Sequence, residues 1–157
     1  MGKRIFCLIL LSLGVANAQT TTDTAVDALL ALATPPVGVV FEVVSGNPDA
    51  LQQALPQLEQ AIGILHTRYP ALPIALVSHG REQFSLAKDL TPRYHTMQTQ
   101  IKALVEKQQV KVQVCGTNAK MHDVDPSQFP EYVEVVARGP RAVDDFIARG
   151  YRHILMR

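Results

Sequence analysis

The chain is poor in cysteine, with only Cys7 and Cys115 in 157 residues, and that count excludes a disulfide framework. It is also short of long apolar runs. Ile5 to Val15 is the one near its start, too short for an ordinary membrane span, and no second follows it. Charge of either sign is not in excess: 15 basic residues face 14 acidic ones, a formal net charge of +1. A basic footprint for nucleic acid or an anionic membrane is therefore absent. Also missing are a Gly-x-Gly-x-x-Gly after the first strand, a Walker-type phosphate loop and a Gly-x-Ser-x-Gly elbow. No compact His-x-x-x-His or Cys-x-x-Cys spacing supports a metal site, so His122 with Asp123 and Asp125 reads as a polar loop.

What is present begins with an address. Lys3 and Arg4 precede the apolar run, and a small-x-small cleavage site closes it as Ala16-Asn17-Ala18. This pattern is that of a secretory signal peptide cut before Gln19, and Cys7 leaves with it. The expected layout is a signal peptide over 1–18, a tether or short helical approach over 19–37 and one α/β domain over 38–157. Without Lys3 and Arg4, 13 basic residues stand against 14 acidic ones, a net charge of −1. The expectation is a periplasmic protein with no stable membrane insertion.

From Val39 onward strands and helices alternate. Val39 to Val44 is a β-branched run ended by Ser45-Gly46-Asn47-Pro48, in which Asn47 suits an N-cap and Pro48 a first helical residue. Leu51, Leu55, Leu58, Ile62 and Leu65 recur at helical spacing. Pro56 inside that run predicts a kink or a fresh start. Pro73 to Val77 is a second strand closed by Ser78-His79-Gly80, and Glu82 to Lys88 a short helix. Thr91-Pro92 opens the next helix, with Met97, Ile101 and Leu104 on one face. Val110, Val112 and Val114 alternate with polar partners as a third strand. Tyr132 to Val136 is a fourth, Gly139-Pro140 starts a helix that Gly150 ends, and Tyr151 to Met156 is the last strand. Such alternation implies a three-layer α/β/α sandwich around a mostly parallel sheet, with flavodoxin-like layering.

In an open parallel sheet the loops after the strand carboxyl ends form the ligand crevice. Three of them are Ser45-Gly46-Asn47, Ser78-His79-Gly80 and Cys115-Gly116-Thr117-Asn118. Parallel neighbours would bring Ser45, His79 and Cys115 to one rim. A single thiol in a mature chain is an intermolecular link, a reactive group or an inert buried hydrophobe. Reactivity would need the thiolate, favoured near a helix N-terminus or a cationic group. Thr117 to Met121 is placed to turn amides toward the sulfur, and His79 to approach it across the sheet. Position alone does not choose between a reactive and a packed cysteine. His66 and His95 fall on helices and His153 on the last strand, with no role assigned to them. Lys102 and Lys107 read as a solvated face.

The Ser45-Gly46-Asn47-Pro48 turn, the Ser78-His79-Gly80 turn and Val112 to Asn118 together resemble the DsrE/DsrF-like family. Val133-Glu134-Val135-Val136, Gly139-Pro140 before a helix and Gly150-Tyr151 extend the likeness over Val39 to Leu155. The family includes sulfur-relay proteins whose cysteine on the equivalent loop accepts sulfur as a persulfide, and which commonly form trimers or hexamers. The resemblance implies that Cys115 matches the sulfur-carrying position and His79 a recurrent turn histidine; from the strand-end loops, Ser45, His79, Gly116 and Asn118 are the expected substrate-binding residues. It implies a homo-oligomer, sulfur donor and acceptor proteins as partners, and no metal or organic cofactor. Against a sulfurtransferase-like carrier stand a non-catalytic oligomeric binding module, with Cys115 as lining, and a redox thiol forming a sulfenic acid.

Overall fold

The computed structural model describes residues 17–88 and 92–156, with side chains from residue 22 onward. The expected signal peptide, apart from its last two residues, and Cys7 lie outside the described residues, as does Thr91. Five strands form the sheet: β1 (Val39–Val43), β2 (Ile74–Ser78), β3 (Lys111–Cys115), β4 (Val133–Val136) and β5 (Arg152–Met156). Their order is β4-β3-β2-β1-β5 and every neighbouring pair is parallel. The chain steps outward from β1 to β4, then crosses back over three strands to place β5 beside β1. Crossovers of one hand running in opposite directions put their helices on opposite faces.

That is how the layers divide. The helices α2 (Ala50–Arg68) and α3 (His95–Gln108), the short α4 (Gly116–Met121) and the N-terminal α1 (Asn17–Leu30) serve the larger core. The strands give it Val39, Phe41, Val43, Leu76, Val112 and Val114, all buried. Opposite, α5 (Gly139–Ala148) alone covers the sheet, with Val143 and Phe146 against Val40, Ala75 and Val77. Side chains alternate across a strand, so Glu42, His79, Gln113, Cys115 and His153 all belong to the α5 face, together with that small apolar cluster. One helix cannot cover five strands, and the polar groups occupy what it leaves.

The helix α2 buries Leu51, Leu55, Leu58, Ile62 and Leu65, each 2% exposed or less. At roughly 1.5–3 kcal/mol per buried large aliphatic side chain, this face alone anchors the helix to the sheet. It runs unbroken through Pro56. The carbonyl left without its donor belongs to Gln52, which is exposed, so water can satisfy it. The helix also starts two residues later than the Asn47 signal suggests. Asn47 Oδ1 accepts from Asp49 N–H at 3.1 Å, and the first turn is wound tightly before Ala50.

Residues 17–30, where the tether or short helical approach was expected to begin, form α1. In α1, Val26 and Leu29 are buried in the main core. The Tyr69 hydroxyl hydrogen-bonds the Leu29 and Leu32 carbonyls at 3.1 and 3.0 Å. The packed unit therefore begins before Gly38. The segment 81–86 is a 3-10 helix, and another 3-10 turn over Pro92–Tyr94 leads into α3.

Candidate functional site

Cys115 ends β3 and is the N-cap of α4. Its Sγ accepts a hydrogen bond from the Asn118 N–H at 3.4 Å. The residue is 5% exposed. Its backbone is held by an unusual partner. In register, β2 stops at Ser78, opposite Val114 and one residue short of Cys115. The Gln83 side chain supplies the missing ladder: its Oε1 accepts from Cys115 N–H at 2.9 Å and its Nε2 donates to Cys115 C=O at 3.1 Å. Gln83 is fully buried, so both bonds are sheltered from water.

His79 follows β2 as Cys115 follows Val114 on β3, so the two adjoin across the sheet. They meet at Gly139, the first residue of α5. A Cβ there would lie 2.3 Å from His79 Cβ and 3.2 Å from Cys115 Cβ. Only glycine lets the helix start this close to both. Gly116 likewise faces the β4 backbone, its Cβ position 3.0 Å from Val136 O.

The loop after β2 is tied to its neighbours on both sides. Asn118 Nδ2 donates to Gly80 C=O at 2.8 Å, joining α4 to that loop. On the β1 side, the buried Glu82 carboxylate accepts from Ser78 Oγ, Gly80 N–H and Ser45 N–H, each at 2.8 Å. Ser45 C=O accepts from Arg81 N–H at 2.7 Å. Gly80 is packed against Ser45 so closely that a Cβ would fall 2.3 Å from its carbonyl oxygen.

The structure thus brings His79, Cys115, Gly116 and Asn118 together, and joins Ser45 to them through Gly80, Arg81 and Glu82 of the loop after β2. Ser45 Oγ itself accepts from Asn47 N–H at 3.0 Å in a local turn. It lines a different feature, a groove of about 390 Å³ with Val43, Asn47, Gln53 and Leu155, where β1 meets β5. A larger cavity of about 740 Å³, with His66 and Lys107 in its wall, lies at the opposite end of the sheet. Neither includes Cys115. Among the described residues no group of three or more His, Cys, Asp or Glu side chains is arranged to hold a metal ion. Nor is any described helix long and apolar enough to cross a membrane.

Several participants escape sequence reasoning. Glu82 and Gln83 look like the polar side of a short helix around Phe84, yet both are fully buried. Glu42 sits in the middle of β1, where Oε1 is 2.6 Å from His79 Nε2 and Oε2 is 2.6 Å from His153 Nε2. The available signal was a lone carboxylate inside the Val39–Val44 run, since a charge on a strand covered on both faces needs partners.

Neither a protein-family model nor a curated protein matches the sequence. Solved structures do match. MTH1491 from Methanobacterium thermoautotrophicum, a protein of unknown function, aligns with a TM-score of 0.60 at 17% identity, over 74% of this chain and 96% of its own. YchN from E. coli aligns with a TM-score of 0.56 at 15% identity, over 76% of this chain and 99% of its own. At these identities the likeness is one of fold: an α/β arrangement around a five-stranded parallel sheet.

Proposed function

We propose that the protein is an exported, periplasmic sulfur carrier or sulfurtransferase-like protein that holds sulfur as a persulfide on Cys115. The observation that carries the reading is the placement of that thiol. It stands at the carboxyl edge of the sheet, on the end of a strand fixed from both sides, with a backbone N–H on its sulfur and a histidine as its cross-strand neighbour. Reactive groups on such folds stand on this edge. The shared fold with MTH1491 and YchN supports the reading at the level of architecture. Gly116 and Asn118 shape the turn around the sulfur, while Ser45 acts through the neighbouring loop. The carrier works as a trimer or hexamer with separate donor and acceptor proteins, and the chemistry calls for no metal or organic cofactor. The test is loading with polysulfide, removal of excess and reduction: wild type releases sulfide and Cys115→Ser does not. Equal release from both would end the reading.

A second reading has an observation of its own. Cys115 is 5% exposed, and the groove beside Ser45 lies between β1 and β5, where the strand order reverses. Ligands of open parallel sheets favour that reversal point. A binding module with Cys115 as a packed residue would tolerate Cys115→Ala and would leave the thiol inert to alkylation.

A further inference from the structure

One row of polar side chains crosses the α5 face of the sheet beside Cys115. In-register neighbours on parallel strands are about 4.8 Å apart. Ser78 pairs with Val114, so His79 and Cys115, the next residues, adjoin, and their Cβ atoms flank Gly139. Toward the other edge, Glu42 takes His79 Nε2 on one oxygen and His153 Nε2 on the other, both at 2.6 Å. His153 on β5, Glu42 on β1, His79 after β2 and Cys115 on β3 therefore follow one another diagonally across four adjacent strands, since the register sets His153 opposite Val40 and Glu42 opposite Val77. The side chains open toward solvent along the row: His79 is 10% exposed, Glu42 15% and His153 32%.

The hydrogen bonds fix the roles the ring atoms can take. An ionised carboxylate only accepts, so both Nε2 atoms donate to Glu42. A neutral imidazole with its hydrogen on Nε2 has its acceptor at Nδ1, and no described group hydrogen-bonds His79 Nδ1. A nucleophile, an adjacent imidazole and a carboxylate that orients that imidazole form the general arrangement for activating a thiol or hydroxyl. A carboxylate kept among Val39, Val40, Phe41 and Val43 is costly as a purely structural choice, since apolar residues fill such strands at least as well.

We propose that Glu42 is a positioning residue that holds His79 as the proton acceptor for Cys115, with His153 as the solvent-facing clamp on the same carboxylate. This rests on, and deepens, the sulfur-carrier reading. The Cys115 S–H bond breaks and its proton moves to His79 Nδ1. The thiolate pair then forms an S–S bond to the outer sulfur of a persulfide donor. The donor's own S–S bond breaks, and its inner sulfur leaves as a thiolate that recovers the proton from His79. Sulfur is transferred with no net oxidation or reduction.

Two rates test this on the full mature chain: alkylation of Cys115 by iodoacetamide, and persulfide uptake from a small-molecule persulfide. Glu42→Gln, close in shape to the native side chain, should slow both about tenfold or more, as should His79→Ala. Added imidazole should restore part of the His79→Ala rate, which a merely structural loss would not allow. If His79→Ala fails to fold, Glu42→Gln decides. Wild-type uptake at rates indifferent to both substitutions would overturn the relay and keep the sulfur carrier. Alkylation slowed by both, with no uptake by wild type, would keep the relay and remove the carrier. A wild-type thiol inert to both reagents would overturn the relay.

Discussion

Two buried contacts around Cys115 are set by single atoms. Gly139→Ala places a methyl 2.3 Å from His79 Cβ, an atom next to backbone that cannot swing away. The expected cost is roughly 1–3 kcal/mol of overpacking, read as a lower urea midpoint, together with a slower Cys115 reaction because His79 is displaced. Glu82→Ala strips the acceptor from three donors at once. Its expected loss is on the order of 3 kcal/mol in equilibrium unfolding, a large share of a typical domain's stability. Unchanged stability would show that water replaces the carboxylate. Cys115 and His79 could be picked out from sequence because each follows a strand and precedes a turn. Glu42 and His153 could not, since their meeting depends on β5 returning beside β1, which no local pattern encodes. Gln83 was hidden for a related reason: its partner is a backbone 32 residues away.

Among the elements, the five strands fall within a residue of their sequence expectations because β-branched runs bounded by Gly, Pro and Ser leave little choice. Helix boundaries moved further, as at Asn47, where a side-chain turn competes with the helix start. The β3–β4 pair carries a pH dependence. Glu134 accepts from Gln113 Nε2 at 2.9 Å and pairs with Lys111 at 2.8 Å. The Gln113 hydrogen bond first, and then Lys111, hold its carboxyl below the ordinary value of 4.5. A carboxyl depressed on folding contributes stability that is fully present above its unfolded value and is lost as pH falls through the folded one. The urea midpoint should therefore decline below about pH 4.5, and Glu134→Gln should lose part of that decline. The effect is small, because the Glu134 side chain is half exposed. An identical acid slope in both proteins would contradict the assignment. Gln113 Oε1, on the same side chain, is buried without a partner.

At the scale of the molecule, topology turns separate turns into one site. The α/β class and the mostly parallel sheet were legible from the alternation of periods, and the carboxyl-edge rule picked out the loops that bring His79 beside Cys115, while Ser45 lines a separate groove. What the sequence hid was the unequal division of the two faces. Helices α1, α2, α3 and α4 crowd one side, while α5 alone leaves a polar strip from His153 to Cys115 on the other. That strip is where the proposed chemistry resides, and a thiol 5% exposed within it must be reached by the sulfur donor. The central claim is that it can be. The most direct measurement is the intact mass of the mature protein after incubation with polysulfide, beside Cys115→Ser. The account predicts one added sulfur on the wild type, removed by reduction and absent from the variant. No adduct on a folded wild-type protein whose Cys115 also resists alkylation would contradict it.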